Sequence, residues 1–229
     1  MALTKVIGAG VGNLDELGVG TASPSYKLHS VTTSGSDYAG FFHNSSGSGN
    51  GTALVVKGGA NNTGAGTFIV QDYSGNTDLM VDGNGHVTMP NQSAFLATLS
   101  GTQSAMAVGS AITIQYVTEI YDQNADYNNS AYTFTAPVTG KYLLNFSAYG
   151  MTLDSAATYY ESYLNTSNRN YYSTIDPDYG QDNAYHTFAV TALADMDAND
   201  TVLVKIYQSG GSSQTQFGGG SHFSGYLVC

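Results

Sequence analysis

Apolar and polar positions alternate along much of this chain, most plainly over 132–149, YTFTAPVTGKYLLNFSAY. Tyr132, Phe134 and Ala136 fall on one face of an extended segment, and Tyr142, Leu144 and Phe146 on one face of the next. Side chains two apart point the same way in a strand, so each run can bury one face. Pro137 cannot donate to a ladder and Gly140 tolerates positive φ. The spacing therefore predicts strand, turn, strand, a hairpin in an antiparallel sandwich. Phe134, Tyr142, Phe146, Phe223 and Tyr226 are expected inside it.

Between Thr32 and Met89 the pattern is thinner. Short apolar runs, YAGFF, TALVVK, GTFIVQD, DLMVD and HVTM, are separated by SSGSGNG, GGANNTGAG, DYSGN and DGNG, which are turn chemistry. Asp-Gly beside Asn-Gly makes DLMVDGNGHVTM a predicted hairpin. Strands this short enclose no core of their own, so their stability has to come from neighbours, most economically from identical chains about a shared axis. The first 20 residues are small and aperiodic, with one possible strand in ALTKVIG, and read as a docking segment.

Composition sharpens this picture. With 10% charged residues, 28 Gly and 18 Tyr, the chain suits a turn-rich β protein whose surface is polar through Asn, Ser, Thr and Gln. A net charge of −11 with only 6 Lys and Arg argues against a basic patch for nucleic acid or an anionic membrane. Neither a signal peptide nor a run of about 20 apolar residues is seen. The chain is thus expected to be made in a cytoplasm and not to insert in a membrane. Cys229 is the single cysteine, which excludes an intrachain disulfide.

The central stretch also carries a resemblance. Phe134, Ala136-Pro137, Gly140-x-Tyr142 and the aromatic Phe146 resemble the centre of the complement C1q globular head, a tumour-necrosis-factor-like jelly roll. Ala94-Phe95-Leu96-Ala97 is similar to that family's opening strand, Leu193, Asp200 and Val202 to its later turn-and-strand motif, and Phe217, Phe223, Ser224, Gly225, Tyr226 and Leu227 to its closing strand. Asn199 stands where the family has Gly, and Asn also enters the left-handed region, so the turn is expected to survive. Upstream, Gly18, Gly20, Thr21, Pro24, Lys27, Leu28 and Val31 in GVGTASPSYKLHSV resemble a module of bacteriophage fibre stalks. Together the resemblances imply an all-β homotrimer with a docking segment at 1–20, a short-stranded trimeric β-stalk at 21–92, and a ten-stranded antiparallel jelly-roll sandwich at 93–229.

Candidate chemistry is sparse. Asp195–Asp200, DMDAND, begins like a calcium loop but has Asp200 where Gly is needed and Ile206 where Glu is needed, so it reads as a turn into the strand TVLVKIY. His29, His43, His86, His186 and His222 lack zinc-site spacing. Gly8–Gly12 lacks the Lys of a phosphate loop, and Ser224 sits in a strand motif rather than a nucleophile elbow. Asn-x-Ser/Thr sequons such as Asn44, Asn50 and Asn145 follow from composition. No enzyme and no cofactor are expected, and a divalent cation would add at most modest stability through ligands the sequence does not name.

Tyrosines crowd the segment 159–188, and around Arg169, Tyr171, Tyr172, Asp176 and Tyr179 they mix with amides and carboxylates. Rings beside amides suit adaptable recognition, since sugars stack on aromatic faces while their hydroxyls bond to polar groups. The alternative reading of these rings is intersubunit packing. Taken with the two resemblances, these residues lead to the expectation of a virion-surface fibre of a tailed bacteriophage. Its N-terminal segment would bind other virion proteins and its head a host-surface glycan or protein. A capsid-decorating head fibre is the main alternative, and a bacterial secreted adhesin a third.

Overall fold

The structure, a computed structural model, describes residues 17–19, 21–23, 25–26, 28–33, 35, 38–43, 52–58, 62–104 and 106–229. The ALTKVIG segment, Gly8–Gly12, Asn44 and Asn50, and Gly20, Pro24 and Lys27 of the stalk-like motif lie outside the described residues. The chain divides into two units, Met1–Gly59 and Ala60–Cys229. Residues 60–92 therefore share a unit with the sandwich.

In the first unit, β1 (Leu17–Val19) pairs in parallel with β2 (Leu28–Ser30), Leu17 opposite Leu28. The runs YAGFF and TALVVK, expected as strands, contain none, and Tyr38, Phe41, Phe42 and Val55 stand exposed. A strand needs a ladder partner as well as an apolar face, and alternation alone cannot supply one.

The second unit begins with a three-stranded antiparallel sheet, β3 (Gly66–Gln71), β4 (Thr77–Asp82) and β5 (Val87–Thr88). DLMVDGNGHVTM is a hairpin as predicted, with Met80 opposite Thr88 and Gly85 at φ +87°. Both turns of this sheet use one device. Asp72 accepts from the backbone N–H groups of Ser74 and Asn76 and from the Asn76 amide, at 2.8–2.9 Å. Asp82 accepts from Asn84 and His86 N–H and pairs with His86 Nδ1 at 2.8 Å.

Twelve strands follow: β6 (Ala94–Thr98), β7 (Ile112–Thr113), β8 (Thr118–Asp122), β9 (Tyr127–Asn128), β10 (Thr133–Thr135), β11 (Gly140–Leu153), β12 (Tyr159–Thr166), β13 (Asn170–Ile175), β14 (Asn183–Met196), β15 (Thr201–Ser209), β16 (Gln216–Phe217) and β17 (His222–Leu227). They form two antiparallel sheets. One runs β14-β11-β17-β6-β8 with β16 added on β11, the other β13-β12-β15-β10-β9 with β7 added on β15. The ten main strands make the jelly-roll sandwich, and the two additions are each only two residues long.

The segment 132–149 corrects the hairpin expectation. β10 pairs with β9 and β15, whereas β11 pairs with β14 and β17, so Pro137–Thr139 carries the chain from one sheet to the other. Both strands still bury the expected residues, because each presents its apolar face to the interior from opposite sides. The Phe134 and Tyr142 rings meet there with centroids 5.6 Å apart. Phe95 stacks on Phe134 at 4.7 Å and on Tyr127 at 5.0 Å, and meets Phe223 edge-on at 4.9 Å. Two residues depart from the pattern. Tyr132 lies in a turn at φ +59°, before the strand begins. Tyr226 points out of the sheet and is 47% exposed, since the inward places of β17 go to Phe223 and Gly225. Asn199 takes φ +73°, the left-handed conformation expected of it, and TVLVKIY is a strand.

Candidate binding surface

The two sheets turn chemically different faces outward. On the β14-β11-β17-β6 sheet, cross-strand partners stand in rows: Leu193, Leu143, Tyr226, Ala94; then Thr191, Asn145, Ser224, Leu96; then Ala189, Ser147, His222, Thr98. These rows contain no Asp, Glu, Lys or Arg. Leu193 is 58% exposed, and Asn145 spends its amide on Thr191 Oγ1 at 2.7 Å rather than reaching outward. Three successive rows without a charge, bordered by the row that pairs Lys141 with Asp195, have the composition of a surface suited to being covered in a chain of net −11.

The outward face of the other sheet is a tyrosine lattice. Its rows read Tyr172, Tyr163, Lys205, Thr113; then Thr174, Glu161, Tyr207; then Asn170, Asn165, Leu203. Tyr163 and Tyr172 lie with centroids 4.8 Å apart, and Tyr159 and Tyr207 5.8 Å apart. Tyr172 is 54% exposed, and its hydroxyl accepts from Asn170 Nδ2 at 2.7 Å. Burial among these neighbours pushes the Tyr163 hydroxyl up, so it stays a neutral donor at physiological pH.

The five residues singled out in the sequence are split by β13. Arg169 and Tyr171 converge on Asp195 at one end: Arg169 Nη2 donates to Oδ2 at 2.9 Å and the Tyr171 hydroxyl to Oδ1 at 3.5 Å. The Arg169–Asp195 pair spans the β12–β13 turn and β14, and it borders a cleft of about 420 Å³ lined by Lys141, Asn168, Asp195 and Asp197. Tyr171 packs inward against the core, and burial pushes its hydroxyl up. Tyr172, the next residue, faces the other way into the lattice. Asp176 and Tyr179 sit beyond the far end of β13. There Asp176 accepts from Asp178 N at 3.2 Å, and Tyr179 is half exposed. These five residues therefore form no single site. Tyr159, Tyr163 and Tyr207 complete the lattice; the even spacing of Tyr159 and Tyr163 puts those two on one face of β12, whereas Tyr207 lies on β15 and joins them only through strand pairing.

The remaining candidates take structural places. In DMDAND, the Asp200 carboxylate accepts from Asp197 N and Asn168 Nδ2, both at 2.8 Å, closing a turn. Among the described residues no group of three or more His, Cys, Asp or Glu could hold a metal ion, and no helix is long and apolar enough to cross a membrane.

A family model for the C1q domain matches residues 94–228. No curated protein matches the sequence. Similar solved structures include the globular domain of zebrafish complement 1qA protein, at 14% identity over 61% of this chain and 98% of that one, with a TM-score of 0.46. Murine APRIL is similar at 10% identity over 60% of this chain and 100% of that one, with a TM-score of 0.45.

Proposed function

Because the chain belongs to the C1q domain family over residues 94–228, we propose that it is a non-enzymatic, homotrimeric fibre at the surface of a tailed-bacteriophage virion. In this reading its sandwich binds a host-surface glycan or protein. C1q- and tumour-necrosis-factor-like domains are structural or binding modules that typically form homotrimers. The observation that carries the reading is the division of labour between the sheet faces. The uncharged rows around Leu143 are suited to burial between subunits, which leaves the tyrosine lattice and the loops at its ends for a ligand. The phage setting draws support from GVGTASPSYKLHSV, where β1 and β2 pair in parallel across the stalk-like motif. It is also favoured by the apolar positions Phe68, Ile69, Val70 and Val87 of the β3-β4-β5 sheet, which stand exposed in one chain and would be covered by two others.

Two measurements test this. Sedimentation equilibrium of the purified chain should give a trimer at micromolar concentration, and a compact monomer overturns the assembly. Antibody labelling of intact particles under the electron microscope should place the chain on fibres, and the purified protein should compete with particles for adsorption to host cells. Label spread over the capsid shell with no competition selects capsid decoration instead.

A further inference from the structure

Beyond the tyrosine lattice, at the end of the sandwich where β11 finishes, a cleft of about 450 Å³ is lined by Ser104, Thr152, Asp182, Asn183, Gln214 and Gln216 among others. We propose that this cleft is a binding subsite for one uncharged sugar residue. It goes beyond the proposed function, because it lies on other elements and its chemistry does not depend on the lattice.

The wall is built with strain. Thr152 is β-branched yet sits at φ +52°, a conformation such residues rarely adopt, and the β11–β14 register passes from Met151 opposite Tyr185 to Leu153 opposite Asn183 without pairing it. Its hydroxyl lies 2.8 Å from the carbonyls of both Met151 and Gln214, which ties the end of β11 to the loop that follows Gly210 and Gly211, both at positive φ. Strain held by specific bonds beside a cleft marks a position where shape has been kept at the expense of local comfort.

The lining then narrows the ligand. Among the described lining residues Asp182 is the one ionisable group, with Oδ1 accepting from Ser155 N and Oγ at 3.0 Å and Oδ2 from Gln214 Nε2 at 2.8 Å. The Gln214 amide, and then Ser155, hold its carboxyl below the usual value, so it is anionic at neutral pH and opposes an anionic ligand. One carboxylate with both oxygens engaged is too little for a divalent cation, which needs several oxygen ligands. The described lining residues include no aromatic ring, so neither a planar heterocycle nor a sugar face is held by stacking there, and recognition falls to hydrogen bonds. By contrast, the side chains of Asn183, Gln216 and Ser104 have no hydrogen-bond partner among the described residues. Two amides and a hydroxyl facing one cleft offer donors and acceptors side by side, which matches adjacent hydroxyls on a ring. An apolar occupant would leave them unpaired. The volume lies in the lower part of the range for small-molecule sites, room for a single ring with its substituents.

Saturation-transfer difference NMR of the full chain decides this, using the methyl glycosides of glucose, galactose, mannose and N-acetylglucosamine, with sialic acid as the anionic comparison. At least one neutral glycoside should give signals that saturate at millimolar concentration. Asn183→Ala and Gln216→Ala should each weaken that binding about tenfold, the loss of a well-made hydrogen bond. Tyr73→Ala, on the exposed β3–β4 turn, should leave it unchanged, and the Tyr163→Ala, Tyr172→Ala double variant tells the cleft from the lattice. Asn183→Asp, which keeps the shape and removes the donors, reads the same loss if Asn183→Ala melts early. The proposal is overturned by silence from all four neutral glycosides, by preference for sialic acid, or by binding that survives both amide variants. Binding lost only in the tyrosine double variant would also overturn it, moving the sugar to the lattice while leaving the attachment reading intact.

Discussion

At the scale of single residues, the sandwich depends on a few rings and on one place where a ring cannot be. Phe146 is fully buried on β11, opposite Val190 and Phe223 in the register. Truncation leaves a cavity that rigid strands close poorly, so Phe146→Ala should cost about 3–5 kcal/mol, read by chemical denaturation. A loss below about 1 kcal/mol would mean the site relaxes freely or is not core. Gly225 shows the opposite constraint. A Cβ there would lie 2.7 Å from Leu144 Cδ2 and 2.9 Å from Phe95 Cε1, with the Leu143 carbonyl at 3.3 Å. Gly225→Ala should therefore destabilise by about 1–3 kcal/mol through overpacking, where an ordinary exposed strand glycine would gain from the change. The resemblance named Gly225 as part of a closing motif. Its reason, the close approach of two core side chains, belongs to neighbours 81 and 130 positions away in sequence.

Among elements, the β3-β4-β5 sheet is joined to the sandwich by polar ties. Gln123 Nε2 lies 2.8–2.9 Å from the carbonyls of Met89, Pro90 and Gln92, and Asn124 Nδ2 donates to Asn91 O at 2.7 Å. The turns of the sheet depend on ionised carboxylates. The Asn76 amide holds Asp72 below its ordinary value, and the His86 ring does the same for Asp82. A carboxyl lowered in the folded state favours folding above its unfolded value near 3.8, and that contribution is lost as pH falls through the lower folded value. The Asn84 and His86 amide proton shifts, which report the bonds to Asp82, should accordingly titrate with a midpoint below 3.8. A midpoint at or above that value would remove the turn device. The Asp-Gly and Asn-Gly signals made this hairpin legible because its determinants lie within four residues. The hairpin read into 132–149 failed for a matching reason: alternation reports which side chains are buried, and two strands facing each other across a sandwich alternate in the same way as two strands side by side.

For the whole molecule, the charge-free rows of the β14-β11-β17-β6 sheet are the surface on which assembly can be tested. If those rows are a subunit interface, a carboxylate placed at Leu193 would be buried without a partner in each of three copies. Leu193→Glu should yield monomers by sedimentation while β-sheet circular dichroism persists. A trimer with unchanged dissociation behaviour would place the interface elsewhere. Salt gives an independent reading. Three chains carry 3 × (−11) = −33 formal charges, so added salt should stabilise the assembly by screening their repulsion.

Sequence alone was enough for the all-β class, the burial of Phe134, Tyr142, Phe146 and Phe223, the β4–β5 hairpin and the left-handed turn at Asn199, because each follows from local period, backbone preference or a short motif. Tertiary structure decided what depends on pairing between distant strands. It placed Pro137–Thr139 as a crossing between sheets and turned Tyr226 outward. Of the neighbours Tyr171 and Tyr172, it packed one ring against the core and sent the other into a lattice with Tyr163. It also gathered Ser104, Asn183 and Gln216 around one cleft. Period two says that consecutive side chains part company. Only the register of β12, β13 and β15 says which of them meet again.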